Sequence, residues 1–167
     1  MDGVMTVDST VIDRAAFYLV QRQSVRGNWP VYAGRVAGGK YDDDGDPAQL
    51  RATAFIVWAL AASKQANYHR AVIDKALDWL EKNTDETAAA DTLGWVANAL
   101  IAGDRKEAAT TLLNRLVTKV RRDGDRAWWP ASAPTWIGGW GVYADIESTA
   151  LAVYAMLRTE SQGELLQ

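Results

Sequence analysis

Residues 92–102 read Thr-Leu-Gly-Trp-Val-Ala-Asn-Ala-Leu-Ile-Ala, and their pattern decides the fold. The stretch carries no polar stripe at helical spacing, so a helix here is apolar almost all round and belongs inside a structure, buried on every side. Two other stretches have the same character: residues 52–62 (ATAFIVWALAA) and 148–157 (STALAVYAML). The three align, with Trp58-Ala59-Leu60, Asn98-Ala99-Leu100 and Tyr154-Ala155-Met156 in equivalent places. Their Ala and Gly content permits close approach around a crowded centre. The longest apolar run, Ala52 to Ala62, is broken only by Thr53 and is too short to span a bilayer.

Outward from these lie helices of another kind. Val11, Ile12, Ala15, Ala16, Leu19 and Val20 form one apolar stripe, with Asp13, Arg14 and Gln21 facing water. The spacing returns in Val72, Ile73, Ala76, Leu77 and Leu80, and again from Ala108 to Val120. One-sided and all-round helices therefore alternate three times, the pattern of a degenerate repeat of helical hairpins with one helix outside and its partner inside. Start signals agree: Asp46-Pro47-Ala48-Gln49 supplies an N-cap acid, a proline at the first helical position and a glutamine. Asp91, and Asp145 with Glu147, stand at the starts of the other two inner helices, where acids complement the helix dipole. Gly103-Asp104 reads as the end of one helix and the cap of the next. With no β-rich run of useful length, the class is all-α and residues 1–167 form a single module.

Composition narrows the chemistry. The chain has no cysteine and one histidine, His69, so disulfides, thiolate nucleophiles, Cys-based zinc sites and multi-His metal sites are all excluded. No metal or cofactor is expected. The net charge of -3 gives no electrostatic pull on nucleic acid. No phosphate-binding glycine loop, nucleophile elbow or metalloprotease motif is present, and His69 has no Ser or Asp partner at a signature spacing.

Sites are to be sought in the two long Gly- and aromatic-rich loops, residues 24–45 and 123–144. The second holds Trp128, Trp129, Trp136 and Trp140, four of the eight tryptophans, and Tyr143. Exposed, these rings form a ligand or partner surface; packed across helix ends, they close the core. Asp42 to Asp46 (DDDGD) is an acidic run whose Gly is misplaced for a calcium loop and which suits a turn ending in an N-cap. Asp91, Asp145 and Glu147 could converge on one mouth of the array, a place for paired carboxylates, although capping accounts for all three.

The run Asp91-Thr92-Leu93-Gly94-Trp95-Val96-Ala97-Asn98-Ala99-Leu100, with Gly103-Asp104-Arg105 and Leu112-Leu113-Asn114-Arg115-Leu116, resembles the thioester-containing domain of alpha-2-macroglobulins and complement proteins, most of all its bacterial branch. Ala52-Thr53-Ala54-Phe55, Ala71 to Leu80 and Asp145 to Ala152 agree with it, so the resemblance runs from about Arg51 to Arg158. It implies an α/α toroid, of which three hairpins form part of a ring. It also implies a secreted or periplasmic, non-catalytic module of a protease-trapping protein in defence, with proteases or other domains of a larger parent as partners. That family's thioester joins a Cys and a Gln in a Cys-x-Glu-Gln-like motif, which these residues lack; the chain is expected to be a C-terminal part of a larger domain, the alternative being a family member that has lost the bond. A second resemblance is weaker. Gln21-x-Gln23 with Gly27-Asn28-Trp29 is similar to the Gln-and-Trp motif of triterpene cyclases, and it implies an α/α-toroid enzyme related to terpene cyclases or carbohydrate-active enzymes.

Overall fold

The structure, a computed structural model, describes residues 8–31, 46–135 and 139–159. Six helices carry the described fold: α1 (Ser9–Gln21), α2 (Pro47–Ala61), α3 (Arg70–Asn83), α4 (Ala90–Ala102), α5 (Lys106–Thr118) and α6 (Val142–Thr159), with one 3-10 turn at Ala66–His69. The expected inner helices α2, α4 and α6 form a row. In it α4 packs against α2 on one side and α6 on the other, α3 joins α2 and α4, and α5 joins α4 and α6. The all-α class is as the periodicity predicts, but the pairing is shifted by one helix: α3 packs mainly on α2 and α5 mainly on α4, so each of these inner helices pairs with the outer helix that follows it, and α1 packs closely on no other element among the described residues.

Burial separates the inner helices where the sequence does not. In α4 every residue from Ala90 to Leu100 is buried, because four helices surround it. Neither α2 nor α6 is enclosed in this way: Phe55 and Ala59 of α2, and Val142, Ile146, Ala150, Tyr154 and Leu157 of α6, are exposed. The expectation that all three are buried on every side holds for α4 alone, since α2 and α6 each have a neighbour in the row on one side only. The outer helix α1 also departs from its reading. Only Ala16 of its stripe is buried, while Val11, Ile12 and Ala15 face outward.

The core is mainly small and aliphatic: Ala54, Val57, Ile73, Leu77, Leu80, Leu93, Val96, Leu100, Leu113, Leu116, Ala152 and Met156 are essentially inaccessible. Small residues set the spacing between helices. A Cβ added at Gly94 would meet Leu151 Cβ at 3.0 Å, so the glycine lets α4 lie close to α6. One turn further on, the buried Asn98 amide donates to the Gly94 carbonyl at 2.9 Å and to Leu151 O across the interface at 3.0 Å. On the outer layer, Arg105 ties α5 to α3 through Asp78 at 2.9 Å and Asp74 at 3.6 Å.

Two tryptophan-proline loops repeat one geometry. Trp29 is buried, donates its indole N–H to Leu19 O of α1 at 2.7 Å, and donates its backbone N–H to Thr53 Oγ1 of α2 at 3.1 Å. Trp129 is buried too, and donates likewise to Leu116 O of α5 at 2.7 Å and to Thr149 Oγ1 of α6 at 3.1 Å. Each indole adds a second donor to a carbonyl near the C-terminal end of an outer helix, which also accepts from the C-cap amide, Arg22 N for Leu19 and Lys119 N for Leu116. Each backbone amide is held by the inner helix that follows.

Local signals account for most element ends, with three differences. Asp46 caps α2, accepting from Ala48 N at 2.8 Å ahead of Pro47. At the α4–α5 turn the left-handed residue is Asp104 (φ 63°), and α5 is capped by Arg105 rather than by the Asp104 side chain. Gly103 is needed instead for space, since a Cβ there would lie 2.3 Å from Leu77 Cδ1. A short antiparallel hairpin, β1 (Arg121–Asp123) with β2 (Arg126–Trp128), occupies the start of the second long loop, and α6 begins at Val142, earlier than the apolar run implies.

Candidate functional site

The N-terminal ends of the three inner helices meet at one mouth, framed by the segments that follow the two tryptophan-proline pairs. Val31, Ala48, Arg51, Asp91, Ala131, Ala133, Pro134, Thr135, Ala144 and Glu147 line a cavity of about 190 Å³ there. Its polar centre is the pair Arg51–Asp91, N–O 2.7 Å, with side chains 16% and 8% exposed. Asp91 Oδ1 also accepts from Ser132 Oγ at 3.0 Å and Ser132 N at 3.4 Å. Asp145 Oδ1 accepts from Ala131 N at 2.8 Å. The expected convergence of Asp91 and Glu147 on one mouth therefore occurs, with Asp145 holding its rim. Asp91 and Asp145 stand in the first turns of α4 and α6, as expected of acids that complement the helix dipole, but they do more than that. The N-cap of α4 is Ala89, with no side-chain cap bond, and both aspartates spend their oxygens fastening the second loop and Arg51.

Glu147 differs from its neighbours. Among the described residues it accepts no hydrogen bond and forms no ion pair. Burial pushes its carboxyl above the ordinary glutamate range; the Arg51 guanidinium pulls it back, and the negative charge of Asp91 adds to the rise.

The mouth continues into an aromatic face. With 100° per residue, Arg51 lies on the same side of α2 as Phe55 and Trp58, Asp91 on the side of α4 that carries Trp95, and Glu147 on the side of α6 that carries Tyr154. Leu93 and Leu100 lie on the opposite side of α4. Successive rings touch: Phe55 and Trp95 at 5.6 Å between centroids and 88°, Trp58 and Trp95 at 5.9 Å and 66°, Trp58 and Tyr154 at 5.6 Å and 37°. Arg158 sits over Tyr154 at 5.8 Å. A charged residue four or seven positions before an aromatic, repeated in each inner helix, is a sequence signal that the motif reading passes over.

The tryptophan-rich loop divides. Trp129 is 3% exposed and bonded into α5, so it closes the core and is not part of a surface. Its indole reaches the end of α5 because the hairpin turns the chain back there. Trp128 is half-buried and walls a groove of about 680 Å³ beside α6, with Arg126, Val142, Ile146, Thr149 and Val153. Trp140 and Tyr143 are exposed, and Trp136 lies outside the described residues. Of the acidic run, Asp46 is spent as the α2 cap, and Asp42 to Asp44 lie outside the described residues. Gln23, from the Gln-and-Trp resemblance, donates to Gly27 O at 2.9 Å and Val72 O at 2.8 Å, fastening the first loop to α3. His69 is partly exposed at the start of α3. Among the described residues no group of three or more His, Asp or Glu could hold a metal ion, and no helix is long and apolar enough to cross a membrane.

A row of inner helices backed by outer ones, with loops fastened across their ends by hydrogen bonds to Asp91 and Asp145 and by two buried indoles, defines a helical-hairpin module. Its family follows from comparison with known proteins: the family model described as the A-macroglobulin TED domain matches residues 1–165, and the chain belongs to this family of thioester-containing domains. Among curated proteins, none matches the chain.

Proposed function

We propose that the chain is a non-catalytic binding module of an A-macroglobulin-type protein, secreted or periplasmic, that engages protein partners in the capture of proteases. One observation carries the reading. Helix α6 turns Ile146, Ala150, Tyr154 and Leu157 outward in a single stripe at i, i+4, i+8 and i+11, with Ile146 60% and Leu157 61% exposed. Trp128, which lines a groove with Ile146, and Tyr143, three residues before Ile146 on α6, extend that stripe at its N-terminal end. A contiguous apolar patch of this kind, next to a rim of Arg126 and Asp123, marks a protein interaction surface. The chain holds no cysteine, so no Cys–Gln thioester forms within these residues, and capture by this module is non-covalent.

The enzyme alternative asks the mouth to act as an acid–base pair. Asp91 is held by Arg51 and Ser132, and Asp145 by Ala131, so both are committed to structure. The test is size-exclusion chromatography of the chain with a panel of active-site-blocked endopeptidases. A complex is expected with at least one, and the surface variants Ile146→Glu and Leu157→Glu, with unchanged circular dichroism, should each dissolve it. Turnover of an oligosaccharide or polyprenyl diphosphate that disappears in Glu147→Gln would overturn the reading in favour of catalysis.

A further inference from the structure

Next to the stripe, on the side of α6 that faces α2 and α4, lies a pocket of about 400 Å³ walled by Trp58, Trp95, Tyr154, Ala150, Leu151 and Glu147. We propose that this pocket is a cage for an organic ammonium cation, held by the three rings and the Glu147 carboxylate. The inference extends the reading of α6 as a binding helix to a ligand chemistry that the reading itself does not specify.

Four features converge on it. The rings touch without stacking flat, Trp58 meeting Trp95 at 66° and Tyr154 at 37°, and all three line the one pocket. Ring faces attract cations through their quadrupole, most strongly for Trp, and a desolvated cation gains most. The Tyr154 ring already accepts such a contact from Arg158 at 5.8 Å. The carboxylate of Glu147 stands at the N-terminal end of the pocket with no hydrogen-bond or ion-pair partner among the described residues, since Arg51 is engaged by Asp91 at 2.7 Å. The mouth therefore sets two carboxylates against one guanidinium and leaves a negative charge beside an apolar wall.

That combination selects the ligand class. A metal cation demands six or more oxygen ligands in the case of calcium, and ring faces offer none. An anion is repelled by Glu147 and Asp91. A neutral apolar group would fill the pocket but leave the carboxylate unanswered. An alkylated ammonium has an apolar surface for the rings and a positive charge for the carboxylate. The pocket is within the size range that admits a small organic ligand.

The test is a titration of the intact chain followed by calorimetry and by tryptophan fluorescence, at constant ionic strength set with sodium chloride. The probes are tetramethylammonium, choline, n-butylammonium and the neutral choline isostere 3,3-dimethyl-1-butanol. Choline should bind at least about tenfold more tightly than its neutral isostere, because the charge and not the shape supplies the affinity. Tyr154→Leu and Glu147→Gln, both on the accessible side of α6, should each weaken tetramethylammonium binding several-fold while the circular dichroism stays unchanged. Choline stronger than n-butylammonium assigns a quaternary small molecule as the ligand; the reverse assigns a lysine side chain of a partner, and either order supports the cage. Equal binding of the neutral isostere, or no binding of any ammonium at tens of millimolar, overturns it. If the ammonium probes fail while the endopeptidase complex forms and still depends on Ile146 and Leu157, the cage falls and the α6 surface stands.

Discussion

Replacing Arg51 by Met tests whether the mouth is a built structural centre. The Arg51 side chain is 16% exposed and Asp91 8%, and they meet at 2.7 Å, so solvent screens the pair poorly. Met keeps most of the length and apolar stem but removes the charge. What remains is a buried Asp91 carboxylate with Ser132 as its only other partner among the described residues, and a Glu147 whose pull toward the charged form is gone. Stranding one partner of a buried pair costs about 3–5 kcal/mol. For a chain of this size, each kcal/mol moves the melting temperature by about 2–4 °C, so the fall should be roughly 6–20 °C. Thermal and urea unfolding followed by far-UV circular dichroism measure it. The double variant Arg51→Met with Asp91→Leu should recover much of the loss, since no unpaired charge is then left. A single-variant loss below about 1 kcal/mol, the range of an exposed ion pair, would refute the reasoning.

Three further outcomes follow from named contacts. Trp129→Phe keeps the apolar ring but removes the indole N–H that reaches Leu116 O; the carbonyl keeps the Lys119 amide, so stability should fall by about 0.5–1.5 kcal/mol in urea titrations, with Trp29→Phe behaving alike at Leu19. Gly27→Ala should cost more than about 1 kcal/mol, because Gly27 has φ 107° and an added Cβ would lie 2.6 Å from the Lys75 carbonyl oxygen. Glu147 binds its proton more tightly folded than unfolded, facing Arg51 from α2 and Asp91 from α4, so its contribution to stability is greatest at low pH. That contribution fades as pH rises through the window between the ordinary glutamate value and the raised one. Subtracting the stability–pH curve of Glu147→Gln from that of the native chain should therefore give a difference that falls with rising pH in that window; a flat difference would show that burial does not act on this carboxylate.

Much of the fold was legible in the sequence because helical periodicity is a local property. The stripe on α3 and the all-round apolar character of α4 each state their burial directly, and Asp46-Pro47 marks the start of α2 as expected. What the pattern could not state is how many neighbours a helix has. Helices α2 and α6 read like α4, yet only α4 sits between two others in the row, so the same composition gives a buried helix in one place and an open apolar face in another. The tertiary partners of the acids at the mouth are invisible in the sequence for a related reason. A carboxylate in a first turn has a sufficient local explanation in the helix dipole, and the partner that Asp91 actually takes, Arg51, is forty residues away. The division of the tryptophan-rich loop likewise depends on where the hairpin aims each ring. The tandem Trp29-Pro30 and Trp129-Pro130 carried that information in the sequence, but the two pairs become a repeat only once each is seen against the Thr, Thr53 or Thr149, that anchors it.

Hydrogen exchange of the chain, free and in complex with a blocked endopeptidase, tests most directly whether this family member works by binding through α6. The account predicts added protection along residues 142–157 and none along α5 at residues 106–118. Protection confined to residues 131–135 at the mouth, or no change at α6 in an otherwise stable complex, would contradict it.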